Sequence, residues 1–141
     1  MISVLLVDNS RAARTGLVNS LRKRPSLDVI GAVANESEAA RSLACKEPDL
    51  VLIDIHYRDG DGAALCAEIR QLTNAPIVVL TSFMTVERWD RLKAAGADAH
   101  LLKRVDSDAL ERDLVSFAKA DRGRNSSPAR KRNEQGGQGI W

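Results

Sequence analysis

The chain has 141 residues, a length typical of one domain, and its apolar fraction of 44% and charged fraction of 28% are ordinary for a globular protein. Only 4% of the residues are aromatic, which argues against nucleic-acid recognition by base stacking. The net charge of +2 is uneven, because residues 121–141 hold five basic and two acidic residues. This composition predicts a folded domain over 1–120 and a basic, disordered tail over 121–141.

The N-terminus predicts neither a secretory signal nor a membrane span. No basic residue precedes the apolar run Ile2–Val7, and Asp8 interrupts that run. We therefore expect a cytoplasmic protein. Cys45 and Cys66 are far apart in helical patterns and form no C-x-x-C motif, so we expect buried free thiols instead of a disulfide or a metal site.

Short apolar runs alternate with stretches of helical periodicity along the whole folded part. The predicted strands, in chain order, are Ile2–Val7, Leu27–Val33, Leu50–Ile53, Ile77–Leu80 and Ala97–Leu102. The predicted helices run from Arg11 to before Pro25, from Glu36 to about Lys46, from Gly62 to about Leu72, from Val86 to Gly96 and from Ser107 to near Ala120. Their predicted N-terminal caps are Ser10, Asn35, Asp61 and Ser107.

This alternation predicts an α/β fold with a parallel sheet, right-handed crossovers and helices on both faces. Five strands suit the flavodoxin-like order 2-1-3-4-5, which puts the first and third strands side by side at the switch point. Ligands of such sheets bind at the carboxyl ends of the strands.

Polar side chains follow four of the predicted strands: Asp8, Asp54, Thr81 and Lys103. Taken alone, Asp54 could simply end its strand in solvent. Taken together, two carboxylates at one sheet edge would repel each other and favour a hard cation such as Mg²⁺. A hydroxyl and an ammonium group nearby are suited to holding phosphoryl oxygens. The four strand ends therefore predict a site for phosphoryl transfer.

In this order and spacing, residues 2–120 resemble the receiver domain of two-component response regulators. The motifs that carry the resemblance are Val-Asp-Asn at 7–9, Asp54 followed by Asp61 and Gly62, Leu-Thr-Ser at 80–82 and Leu-Lys at 102–103. The resemblance implies that Asp54 accepts a phosphoryl group from a histidine kinase or phosphotransfer protein. It also implies a regulatory protein with no enzymatic activity beyond Mg²⁺-dependent self-phosphorylation and autodephosphorylation.

The same resemblance implies a role for each further site residue. Asp8, Asn9 and the backbone carbonyl of His56 would hold Mg²⁺ together with Asp54. Thr81 and Lys103 would bind the phosphoryl group, and His100 occupies a position that takes part in the switch. Signalling would run through the face of helix four, strand five and helix five, to an output protein or to a DNA-binding domain missing from this chain, with homodimerisation as an option.

Three departures from the family pattern motivate an alternative. Asn9 replaces a second acid, which predicts weaker Mg²⁺ binding, and Arg104 replaces a proline, which predicts a trans bond and a reshaped loop. Residues 55–58 are also unusual. The alternative is an atypical receiver that acts as a phosphorylation-independent interaction module.

Two other functions are argued against by the sequence. A metal-dependent phosphohydrolase would need D-x-D after the first strand, where Asn9 and Ser10 follow Asp8. Direct DNA binding would need a helix-turn-helix unit, for which too little chain remains after residue 120.

Overall fold

The structure, a computed structural model, describes residues 1–56, 60, 62–103 and 106–125. Strands and helices alternate through these residues. The strands are β1 (Ile2–Val7), β2 (Leu27–Val33), β3 (Leu50–Asp54), β4 (Ile77–Thr81) and β5 (Ala99–Leu102). The helices are α1 (Arg11–Arg22), α2 (Glu36–Cys45), α3 (Ala63–Arg70), α4 (Val86–Ala95) and α5 (Ser107–Asn125).

The described strands form one parallel sheet in the order β2-β1-β3-β4-β5, which confirms the predicted fold. The central strand β3 is buried along its whole length, as its β-branched apolar sequence predicts for a strand covered on both faces. Its residue Ile53 lies opposite Val7 of β1, and Asp54 lies opposite Leu80 of β4. This register brings the ends of β1, β3 and β4 to the same edge of the sheet.

Two apolar clusters cover the two faces of the sheet. Leu50 and Leu52 of β3 pack with residues of α1 and α5, whereas Val51 and Ile53 pack with residues of α2, α3 and α4. The alternation follows from the two-residue period of a strand. It also fixes which face each residue at the site can reach.

Side-chain caps begin most of the helices. Ser10 accepts a hydrogen bond from the amide of Ala13, and Asn35 accepts one from Glu38, as predicted. The predicted cap at Ser107 is wrong, because the Asp106 carboxylate accepts the amide hydrogen bonds of the first turn of α5. The predicted cap at Asp61 lies outside the described residues.

Three further predictions are corrected. β5 begins at Ala99, two residues later than predicted, and α5 continues to Asn125, five residues beyond its predicted end. Cys66 is buried, but Cys45 is exposed at the end of α2. The tail predicted for 121–141 remains a prediction, since residues 126–141 lie outside the described part. No helix that the structure describes is long and apolar enough to span a bilayer.

One arginine ties the end of α3 to the turn after α4. The Arg70 guanidinium donates to the carbonyl groups of Thr73, Ala75 and Gly96. Gly96 has a φ of 118°, and a Cβ atom there would lie 2.7 Å from Cγ of Arg70. Backbone conformation and close packing therefore both require glycine at the end of α4.

We expect Gly96→Ala to destabilise the protein by about 1–3 kcal/mol, because it combines a strained φ with a clash against Arg70. Gly16→Ala is the matched control: nothing lies within 4 Å of a Cβ added at this position in α1. Alanine there should stabilise by up to about 1 kcal/mol. Urea unfolding of the two variants checks both signs, and equal midpoints would contradict this account of Gly96.

Candidate functional site

The site is built at the carboxyl edge of the sheet by residues that end or directly follow four strands. Backbone bonds extend the ladders past the strand ends: Asp8 N–H donates to Val33 at 2.9 Å, and Lys103 N–H donates to Thr81 at 2.8 Å. The positions of Asp8 and Lys103 are therefore fixed by the sheet as firmly as those of strand residues.

Asp54 occupies the centre of this edge and is only 6% exposed. Its Oδ1 lies 2.8 Å from Nζ of Lys103, which is one-third exposed. Burial raises the pKa of Asp54 above its ordinary value; Lys103 opposes the shift, the charge of Asp8 adds to it, and His56 opposes it. The carboxylate is thus held in a low-dielectric position, with one cation beside it.

Asp8 is the second buried acid, at 1% exposure. Its Oδ1 accepts a hydrogen bond from the amide of Ser10 at 2.9 Å and lies 2.6 Å from Nε2 of His56. Its Oδ2 is buried and accepts no hydrogen bond from any residue in the described ranges. A buried carboxylate oxygen without a donor is costly unless a cation is bound beside it.

His56 contributes more to this edge than the sequence predicts. The sequence points to its backbone carbonyl, but its imidazole reaches the acids: Nε2 lies 3.9 Å from Oδ1 of Asp54 as well as 2.6 Å from Asp8. Ligand atoms of Asp8, Asp54 and His56 all lie within 4.8 Å of one another. Asn9, the other predicted metal ligand, is exposed beside Asp8.

Thr81 lies on the opposite side of the sheet from Asp54. Asp54 pairs with Leu80, so the next residue, Thr81, points to the α4 face. There its hydroxyl donates to the carbonyl of Phe83 at 3.3 Å and accepts from Arg88 at the same distance. The structure therefore holds Thr81 on α4 and does not bring its hydroxyl to the acids.

Arg88 is the residue that the sequence analysis missed. It is 8% exposed, and its guanidinium also donates to Phe83 O at 2.6 Å and to Gly60 O at 3.5 Å. It joins Thr81 to the loops that follow β3 and β4. The signal that could have found it is its position one turn before the core residue Leu92, where a charged side chain needs buried partners.

The predicted switch residue His100 also lies on the α4 face, opposite Val79. Its ring packs against Trp89, with centroids 4.6 Å apart and planes tilted by 55°. Trp89 in turn packs against the core. Of the positions that depart from the family pattern, residues 57 and 58 and Arg104 lie outside the described residues.

Comparison with known proteins identifies the family. The family model described as "Response regulator receiver domain" matches residues 4–114. Among curated proteins, the chain is 31% identical over 113 residues to the DNA-binding transcriptional activator DevR/DosR of Mycobacterium tuberculosis, covering 79% of this chain and 52% of that protein. It is 36% identical over 104 residues to the transcriptional regulatory protein LiaR of Bacillus subtilis, covering 73% and 49%. The chain thus spans about half the length of these relatives.

Solved structures agree with this assignment. The signal receiver domain of a modulated diguanylate cyclase from Desulfovibrio desulfuricans matches with a TM-score of 0.72 and 30% identity, over 86% of this chain and 97% of that one. The receiver domain of the sensor histidine kinase PA1611 from Pseudomonas aeruginosa, solved with a magnesium ion in its active-site cleft, matches with a TM-score of 0.67 and 26% identity, over 84% and 98%. The chain belongs to the response regulator receiver domains, the phosphorylation-dependent switches of two-component signalling.

Proposed function

We propose that Asp54 is the phosphoacceptor of this receiver and takes its phosphoryl group from a histidine kinase or phosphotransfer protein. The observation that carries the proposal is the position of Asp54, buried at the end of the central strand between Asp8 and the ammonium group of Lys103. A carboxylate oxygen of Asp54 attacks phosphorus, the phosphorus–nitrogen bond of the donor breaks, and the leaving imidazole keeps the electron pair and takes up a proton. Donor, acceptor and Lys103 need only be positioned for this step.

The pocket suits the divalent cation that such a transfer requires. The two buried carboxylates, one of which has the unpartnered oxygen Oδ2 of Asp8, offer the oxygen ligands that Mg²⁺ prefers. Asp8 and Asp54 would hold the ion, with the backbone carbonyl of His56 and the side chain of Asn9 as further ligands. Bound Mg²⁺ would neutralise charge on the acids and on the incoming phosphoryl oxygens.

Lys103 and Thr81 have separate roles in this proposal. Lys103 would pair with a phosphoryl oxygen, exchanging its present partner Asp54 Oδ1 for the larger charge of the acyl phosphate. Thr81 would reach the phosphoryl group only after it leaves Arg88 and Phe83. Phosphorylation would thereby shift the loop after β4 between two states, and the face of α4, β5 and α5, including His100, would carry the change.

The partners follow from the family. We expect a cytoplasmic histidine kinase domain or phosphotransfer protein as the donor. Because the curated relatives are about twice as long as the matched segment and DevR/DosR is named as DNA-binding, the output is a DNA-binding domain or a separate output protein. Homodimerisation of the receiver is the second route by which the signal could leave it.

Incubation with Mg²⁺ and a small phosphodonor such as acetyl phosphate should add one phosphoryl group to the wild type and none to Asp54→Asn, as measured by intact mass. Lys103→Met should accumulate less adduct, because the phosphoryl oxygens lose their cation, whereas Lys119→Met, an exposed lysine of α5, should match the wild type. If the wild type forms no adduct even at high Mg²⁺, the chain is instead the phosphorylation-independent interaction module.

The raised pKa of Asp54 predicts a dependence of stability on pH. The folded chain binds a proton at Asp54 more readily than the unfolded chain, so the stability of the metal-free protein should fall as the pH rises from 3.8 through the raised pKa. Asp54→Asn removes this ionisation and should therefore be more stable than the wild type at neutral pH.

Urea unfolding across this pH range in metal-free buffer provides the measurement. Asp28→Asn, which changes an exposed acid on β2, is the control and should retain the wild-type pH profile. Parallel profiles for the wild type and Asp54→Asn would contradict the effect assigned to burial.

Arg88 holds the loop after β4, so Arg88→Met should release it at nearly constant side-chain volume. We expect faster hydrogen exchange at the amides of residues 82–85 and a loss of about 1–3 kcal/mol of stability, because Thr81 Oγ1 and Phe83 O lose a charged donor. Lys93→Met changes an exposed cation of the same helix and should leave both quantities unchanged. Unchanged exchange in Arg88→Met would show that the loop is held by other contacts.

A further inference from the structure

The imidazole of His56 stands where a metal ligand would stand. Its Nε2 lies 2.6 Å from Oδ1 of Asp8 and 3.9 Å from Oδ1 of Asp54, and its side chain is one-quarter exposed. The nitrogen thus faces both acids while the ring retains access to solvent. The backbone of His56 lies two residues beyond the end of β3, which limits how far the ring can move from the acids.

A second observation points to a cation at the same place. Asp8 is 1% exposed, its Oδ1 is already bonded by the amide of Ser10, and its Oδ2 has no donor among the residues that the structure describes. Lys103 is paired with Asp54 and not with Asp8. His56 therefore bonds to one oxygen of the buried Asp8 carboxylate, and a bound cation would stabilise the other.

We propose that Asp8, Asp54 and Nε2 of His56 form a binding site for an imidazole-accepting divalent transition-metal ion, such as Mn²⁺ or Co²⁺. The inference rests on the proposed function, since it concerns the cation of the same pocket. It changes the ligand set: the side chain of His56 becomes a direct ligand. Imidazole is a preferred ligand of the later first-row transition metals, and Mn²⁺ also accepts it beside carboxylates, whereas Mg²⁺ takes oxygen ligands almost alone.

The distances are compatible with this ligand set. Ligand atoms about 2.0–2.2 Å from one ion lie roughly 3 Å apart, so the Nε2–Oδ1 separation of 2.6 Å must widen only slightly. Nε2 then gives up its hydrogen bond to Asp8 and offers its lone pair to the metal, with the ring proton on Nδ1. Two carboxylates and one imidazole leave coordination positions for water and for phosphoryl oxygens.

The residue after Asp8 also favours a nitrogen ligand in this pocket. Asn9 follows Asp8 and carries no charge, so the described pocket offers two carboxylates. A pocket with fewer anionic oxygens binds a hard ion less tightly. The nitrogen of His56 adds a donor that benefits transition metals and adds nothing for Mg²⁺, which shifts the preference of the pocket toward them.

The test compares Mn²⁺, Co²⁺ and Mg²⁺ on the unphosphorylated full chain. The sequence contains two histidines, His56 and His100, so His100→Ala is a matched control for nitrogen ligation. Calorimetry should show that His56→Ala loses roughly ten- to a hundredfold in Co²⁺ affinity and little in Mg²⁺ affinity, with His100→Ala unchanged. Most protein sites bind Co²⁺ more tightly than Mg²⁺. The decisive result is therefore whether His56→Ala loses more affinity for Co²⁺ than for Mg²⁺.

Spectroscopy gives a readout independent of activity. Electron spin echo spectra of the Mn²⁺-loaded protein should show coupling to a nitrogen nucleus in the wild type and in His100→Ala, and none in His56→Ala or His56→Gln. Circular dichroism verifies that both His56 variants are folded. Absence of nitrogen coupling in the wild type, or equal loss of Co²⁺ and Mg²⁺ affinity in His56→Ala, would overturn the inference.

The two proposals fail in different ways. A phosphoryl adduct in Mg²⁺ without nitrogen coupling to Mn²⁺ supports Asp54 as phosphoacceptor and overturns the metal assignment. Nitrogen coupling without an adduct in any of the three metals supports the metal site and overturns the phosphoacceptor assignment.

Discussion

The proximity of two buried carboxylates at the ends of β1 and β3 is the constraint on which the rest of this site depends. The sheet enforces it, because the pairing of Val7 with Ile53 brings Asp8 and Asp54 next to each other in a buried position. Like charges in such a position repel and lose their hydration. The neighbouring groups stabilise the two carboxylate charges: Lys103 pairs with Asp54, and Ser10 N–H and His56 bond to Asp8.

The two-residue period of the strands then puts the acids and the predicted switch residues on opposite faces of the sheet. Asp54 shares its face with Leu50 and Leu52, which pack on α1 and α5, whereas Thr81 and His100 face α4. In the proposed function, a change at Asp54 reaches the α4 face through the loops at the end of the sheet. Arg88 is placed for this, since it bonds to Thr81 and to carbonyl groups of both adjacent loops, at Gly60 and Phe83.

The sequence predicted the strand order and the meeting of four strand ends at one edge, because alternating apolar runs indicate a parallel sheet and five strands suit the flavodoxin-like order. It did not predict features that depend on side-chain direction beyond a strand end. The imidazole of His56 is one, since no periodicity extends past Asp54. Arg88 is another, because a charged residue in a helix is expected to be exposed to solvent, whereas Arg88 is buried. The sequence placed the end of α5 too early, because an aspartate such as Asp121 is expected to be exposed to solvent, whereas the structure buries it.

The departures from the family pattern are best understood together. Asn9 carries no charge where a second acid was expected, and taken alone it predicts weaker cation binding. His56 contacts the neighbouring carboxylate of Asp8, and we propose above that its nitrogen, which bonds to Asp8 without metal, becomes a metal ligand. Without metal, the imidazole lowers the free-energy cost of burying Asp8. With a transition metal bound, its nitrogen would take the place of the carboxylate oxygen that Asn9 does not supply. A pocket built in this way retains its acids while changing the cation that it favours.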